Sequence, residues 1–261
     1  MKRMKQLLAI AAIAVVAQTT EAQQIASGWN TIYASYDMPK IKAMETGYDN
    51  DDFNGGFTVG YSITQQIVPK AALYIEYGVS FSQAYYKENL YEDKYIGTYS
   101  IKSGSTGSVV QFTDIYMDLE AKMKYNYLSV PINLSYCIST NGNLSIIPFA
   151  GLNLKCGLTA KVTTEWILSG DSADDLNKYS SQSEFWDNFE NAGNERSEKM
   201  NFYKEDDMGS DKWNRLLVGY QVGVNFSISR LLLGIKYQGD ISEISEEYKY
   251  NATSFTAGIR F

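Results

Sequence analysis

Few residues in this 261-residue chain could do chemistry. Asp171, Asp174 and Asp175 crowd the stretch GDSADD, the stretch DNDD runs from Asp49 to Asp52, and thiols stand at Cys137 and Cys156. Paired carboxylates can serve as glycosidase groups, and clustered ones can hold calcium. Both chemistries fail on context. The first cluster lies in a stretch rich in Ser and Asn and reads as a solvated acidic loop. The second lacks the spaced ligands, turn glycine and final glutamate of an EF-hand loop.

Histidine is absent. It is the usual general base and the commonest protein metal ligand, and a Ser or Asp nucleophile activated by His is therefore unavailable. The chain is not expected to be an enzyme, and no metal or cofactor is expected. Nor does it suit nucleic acid. There are 23 Lys+Arg against 30 Asp+Glu, and phosphate contacts need clustered basic residues.

The amino terminus adds to that imbalance. Lys2, Arg3 and Lys5 precede an apolar run from Leu7 to Ala17, and Thr20-Glu21-Ala22 follows. This reads as a Sec signal peptide over 1–22, cut after Ala22. The run is shorter than the ~20 residues of a spanning helix. Removal leaves 20 basic and 29 acidic residues in a single domain, 23–261.

What must position anything in that domain is strand. Phe57, Val59, Tyr61 and Ile63 alternate with Thr58, Gly60 and Ser62, and Leu128, Val130, Ile132 and Leu134 with Ser129 and Asn133. The same period of two recurs in residues 73–81, 146–162, 218–228, 231–237 and 253–261, with a weaker strand near Gly28 to Tyr36. The count is about eight. The second faces are small and neutral rather than charged, which suits a narrow packed interior better than an open surface. The apolar faces are ~9–11 residues long, enough to cross a bilayer.

Connections alternate too. Gln65 to Lys70, Asn141-Gly142 and Ser229-Arg230 are tight turns, Asn-Gly favouring type I′. Long loops are expected at 37–55, 85–112, 165–212 and 239–250. Transmembrane barrels have this asymmetry, with short periplasmic turns and longer outside loops. The expected fold is therefore all-β: an antiparallel up-and-down transmembrane β-barrel of about eight strands in the bacterial outer membrane, with a soluble barrel or sandwich as the alternative. With Asn141-Gly142 centring a hairpin, Cys137 faces Ile146, ~10 residues or ~30 Å from Cys156. That is far beyond the ~7 Å a disulfide tolerates, so both cysteines read as packing residues.

The motifs NYLSVPINLSY at 126–136 and IIPFAGLNL at 146–154 resemble the PorT-like outer-membrane β-barrel family of Bacteroidota, often labelled "porin family". The resemblance implies an outer-membrane barrel, and one branch of the family implies an accessory subunit of a type IX secretion machine. The large 165–212 insertion tells against carrying over any member's partner. Phe255, Ile259 and Phe261 resemble the carboxy-terminal signal read by the barrel-assembly machinery. Asp171-Ser172-Ala173 resembles the O-glycosylation acceptor of Bacteroides-type bacteria, a three-residue match that chance readily supplies.

Three roles follow as expectations: a structural or surface-binding barrel, a subunit of an envelope or secretion machine, and, more weakly, a small porin. Outer-membrane lipid and lipopolysaccharide are the expected partners. Lys122 and Lys124 extend the outward phase of Leu128 and are placed to meet lipopolysaccharide phosphate. An outward aromatic band is expected, with Tyr61, Tyr136, Phe226 and Phe261 low and Phe81, Trp166 and Tyr237 high. Leu176, Tyr179, Phe185, Trp186 and Phe189 fall near helical spacing in the longest loop; they are a candidate binding epitope, or pack their own loop down. The inward charges are Glu76, Lys155, Lys236 and Arg260, and Glu76 is expected to pair with Lys236 or Arg260 because an isolated buried charge is costly.

Overall fold

A computed structural model describes residues 28–43, 53–68, 71–102, 108–139, 144–178, 182–204, 212–245 and 248–261. The proposed signal peptide, the DNDD stretch and Asn141-Gly142 lie outside these. Ten strands are described: β1 (Gly28–Ala43), β2 (Phe53–Gln66), β3 (Leu73–Lys102), β4 (Val109–Tyr136), β5 (Ile138–Ser139), β6 (Leu144–Leu168), β7 (Ser197–Asn201), β8 (Leu216–Ile228), β9 (Leu231–Asp240) and β10 (Tyr248–Arg260). Two helices, α1 (Gly170–Lys178) and α2 (Gln182–Asn191), lie between β6 and β7.

Eight of the strands form a ring. Each pairs antiparallel with its neighbours in the order β1–β2–β3–β4–β6–β8–β9–β10, and β10 returns to β1 with Ile259 opposite Ile32. Closure removes both sheet edges. The side-chain alternation holds around the ring. Val130, Ile132 and Leu134 are 41–52% exposed, whereas Ser129, Asn133 and Ser135 are buried inside. Both cysteines are free, Cys156 on the outer face.

Two departures from the sequence reading matter. First, 85–102 and 109–112 are strand rather than loop. β3 runs for 30 residues and β4 for 28, far beyond the ~9–11 that cross a bilayer, so the hairpin continues well above the ring. Second, Ala160, Val162 and Trp166 do not share a face with Leu154 and Leu158. A bulge pairs Asn126 with Thr159 but Tyr127 with Gly157, and one extra residue exchanges the faces of a strand. Ala160 and Val162 are therefore buried inside, and Trp166 packs inward instead of joining an outer aromatic band. Tyr61, Tyr136, Phe226, Tyr237 and Phe261 do face outward.

Candidate functional site: lumen and outer wall

The lumen is filled in layers. At the short-turn end the Arg260 guanidinium lies 3.9 Å from the Trp29 ring centroid, Trp29 packs on Tyr74 at 4.8 Å, and Arg260 Nη1 donates to Ser227 Oγ at 2.5 Å. Above this, Gln221 donates to Asn133 Oδ1 at 2.6 Å, and Asn133 donates to Glu76 Oε1 at 3.2 Å. Glu76 and Lys236 line one polar cavity, together with Tyr33, Ser80 and Asn225. The Tyr33 ring fits only because Gly60 opposite has no side chain.

Higher still lies a buried ion pair, Lys155 Nζ to Asp240 Oδ1 at 2.5 Å, with neither side chain exposed. Its ammonium is 4.7 Å from the Tyr250 ring and 5.4 Å from the Tyr127 ring. An aromatic lid follows: Tyr125 packs edge-on against Tyr250 and Trp213, and Trp213 stacks on Phe202 at 4.5 Å. Phe202, Tyr203 and Trp213 belong to the segment between β6 and β8, pinned by Phe202 N donating to Ala160 O and Trp213 N donating to Phe202 O. The Tyr203 hydroxyl occupies the place a side chain at Gly157 would take.

The structure thus puts Glu76, Lys155, Lys236 and Arg260 inside, as the alternation requires, but corrects their pairing. Glu76 makes no ion pair with Lys236 or Arg260; the Asn133 amide serves it instead. The ion pair belongs to Lys155, and its partner Asp240 was missed. So was Asp37, 1% exposed and hydrogen-bonded by Thr58 at 2.5 Å. The polar sequence around each reads as loop, yet Asp240 simply extends the phase of Lys236 and Gln238, and Asp37 that of Tyr33 and Ser35. Three inward carboxylates face three inward cations among the described residues.

The outer wall on the β3–β4–β6 side is graded in rows set by strand register. Phe81 and Leu128 form an apolar row. Next come Gln83, Asn126 and Thr159, joined by hydrogen bonds of 2.8 and 2.6 Å. Lys124 and Lys161 then stand directly opposite, between Tyr85 on β3 and Asn201 on β7. The following row holds Lys87, Lys122, Thr163 and Lys199. In the row beyond, Glu120 binds Lys87 at 2.5 Å and Lys122 at 2.9 Å, while Glu165 lies 3.5 Å from Lys122 and 3.9 Å from Arg196. Lys122 is therefore engaged by carboxylates. Lys124 and Lys161 are exposed and have no ion-pair partner among the described residues.

Beside the closed ring, its apolar exterior and its polar filling, the sequence itself matches a family model described as an outer membrane protein beta-barrel domain, over residues 17–244. The chain belongs to this family. It is an outer-membrane β-barrel protein. No curated protein matches it. Among solved structures it is similar to the attachment invasion locus protein Ail of Yersinia pestis, at 16% identity and TM-score 0.40, covering 90% of this chain and 100% of that one. It is also similar to Neisserial surface protein A, at 10% identity and TM-score 0.35 over 90% and 98% of the two chains. A third is the N-terminal barrel domain of Pseudomonas aeruginosa OprF, at 11% identity and TM-score 0.29 over 90% and 99%. Likenesses this distant carry no argument about function.

Above the membrane-spanning ring, the expected epitope is largely a core. Leu176, Phe185 and Trp186 are buried against Ile101, Ile115, Met117 and Leu168, with Phe189 packed at the margin. Phe185 meets Tyr99 edge-on at 5.4 Å, and the Arg196 guanidinium covers Trp186 at 4.2 Å. These aromatics fasten α1 and α2 to the inner side of the extended β3–β4 hairpin, so they offer no free binding face. Tyr179 lies outside the described residues. Ser172 is equally unavailable as a glycosylation acceptor: it is 2% exposed, and its Oγ accepts from Tyr116 N at 2.8 Å.

Proposed function

We propose that this protein is a structural or surface-binding barrel, with a lumen too full to conduct and a folded projection presented to the cell exterior. The observation that carries the reading is the double closure of the lumen. The Arg260–Trp29–Tyr74 layer blocks one end, and the Lys155–Asp240 pair beneath Tyr125 and Trp213 blocks the other. Eight-stranded barrels leave an interior just wide enough for side chains, which disfavours the porin alternative. The long-loop end carries two helices, β7 and the extended hairpin, whereas the opposite end offers turns such as Ser229-Arg230. That imbalance favours partners at the loops over a secretion machine reached through the turns. The reading involves no catalysis.

Reconstitution in a planar bilayer is the test. The expected result is no stable conductance; large, steady openings from the unmodified protein would return it to the porins. Protease added to intact cells should cut between α2 and β8, since exposed loop segments are the preferred nicking sites. Cleavage confined to Ser229-Arg230 would place the projection in the periplasm.

A further inference from the structure

The outer wall carries an arrangement that the closed lumen does not explain. Lys124 and Lys161 are cross-strand partners on the same outward face, and like charges directly opposite one another are destabilising. Two rows higher, Glu120 and Glu165 offset Lys87 and Lys122; nothing in the described protein does so for Lys124 and Lys161. Lys199 on β7 adds a further exposed cation in the adjoining row.

Depth identifies the occupant. Leu128, 40% exposed, ends the lower apolar run on this face of β4; Asn126, Lys124, Lys122, Glu120 and Asp118 follow it before Tyr116 and Phe112. Lys124 is four residues further on, ~13 Å along a strand and ~10 Å along the axis of a barrel tilted by ~40°. That is the level of the polar headgroups, not of the hydrocarbon or open water. The intervening Gln83–Asn126–Thr159 row presents amide and hydroxyl groups of the kind that hydrogen-bond sugar. Leu154 and Leu158, 45% and 40% exposed below, offer the wall on which acyl chains lie.

We propose that Lys124 and Lys161, flanked by Lys122 and Lys199, form a shelf that holds the phosphate of a phosphorylated glycolipid in the surrounding leaflet. A phosphate monoester, carrying close to two negative charges at neutral pH, matches two facing ammonium groups; a diester supplies one. Inorganic phosphate has the charge but no acyl chains for the leucines. The leaflet that the shelf faces rests on the orientation proposed above, but the shelf itself does not, so binding in micelles tests it independently of topology and conductance.

The experiment uses the full mature chain folded in a zwitterionic detergent, titrated with lipid A, phosphatidylglycerol or inorganic phosphate. Native mass spectrometry counts bound lipid, and thermal unfolding reports stabilisation. The expected order is lipid A well ahead of phosphatidylglycerol, with inorganic phosphate weakest. Lys124→Gln/Lys161→Gln should weaken lipid A binding by about tenfold or more, because each lysine near an anionic surface contributes roughly fivefold. Arg230→Glu, in the turn at the far end, should leave it unchanged. Lys161→Glu should separate this role from a structural one: it relieves the repulsion and raises Tm in lipid-free detergent, yet abolishes the gain on adding lipid A. Equal retention of lipid A by wild type and the double Gln variant overturns the shelf. So does inorganic phosphate stabilising the protein as well as lipid A, or no preference for the monoester over the diester.

Discussion

The barrel treats one residue type in opposite ways on its two sides. Inside, Lys155 has no exposed surface, an aspartate at 2.5 Å and two tyrosine rings around its ammonium. Outside, Lys124 and Lys161 face each other across adjacent strands without a carboxylate between them. The difference is one of solvent. A buried charge must be paired or carry a large desolvation cost, whereas an exposed one can await a partner from the membrane. Charge balance inside is a condition of folding; imbalance outside is free to serve recognition.

Breaking the inner pair should have the largest effect. Asp240→Asn leaves the Lys155 ammonium buried without its counter-charge, and is expected to lower stability by about 3–5 kcal/mol, measured by urea unfolding from detergent or bilayer. Lys155→Met/Asp240→Leu removes both charges and should recover most of the loss, since replacing a buried pair by apolar groups is often neutral. A cost below ~1 kcal/mol for Asp240→Asn would show that water, not Asp240, stabilises the lysine. The projection should respond separately. Leu176→Ala opens a cavity beneath α1 and is expected to loosen that cluster by about 2–5 kcal/mol. The readout is faster proteolysis between α2 and β7 with the unfolding of the barrel unmoved; a matching fall in barrel stability would mean that the two cores are one.

Much of this was legible from alternation alone. The period of two fixed the eight strands, their outward faces and the inward placing of Glu76, Lys155, Lys236 and Arg260. Two physical features hid the rest. The bulge at Gly157–Thr159 leaves no signature in the apolar pattern, because Ala160 and Val162 are as apolar as the lipid-facing residues before them; Trp166 was misplaced for that reason. Strand ends were set where polar residues begin, which put Asp37, Asp240 and the hairpin beyond Tyr85 into loops. A strand leaving the membrane keeps its hydrogen bonds while its outer face turns polar, so polarity marks the edge of the lipid and not the end of the strand. The lysine shelf depended on register as well: Lys122 and Lys124 were visible in one strand, but Lys161 and Lys199 join them only through pairing.

The smallest effect expected lies at the upper margin of the shelf, where the carboxylates begin. Partial burial pushes the Glu120 carboxyl up, but hydrogen bonds from Lys87 and Lys122 outweigh it and hold the group below the usual 4.5. The Glu120 hydrogen bond likewise holds Lys122 above its usual 10.5. A depressed carboxyl stabilises the fold fully above its unfolded value and loses that contribution as pH falls through the folded one; a raised lysine does so below its unfolded value and loses it as pH rises through the folded one. The network should therefore hold from about pH 5 to pH 10. Its lysines are 35% and 40% exposed, so solvent screening limits it to about 0.2–1 kcal/mol. Glu120→Gln should lower Tm slightly at pH 7, and the gap from wild type should close as pH falls through the depressed Glu120 value. A gap that persists below that value would assign the effect to packing. The same substitution frees Lys87 and Lys122 toward the membrane, so at pH 7 it should tighten lipid A binding while weakening the fold. Both changes falling together would mean that Glu120 positions the lysines rather than restrains them.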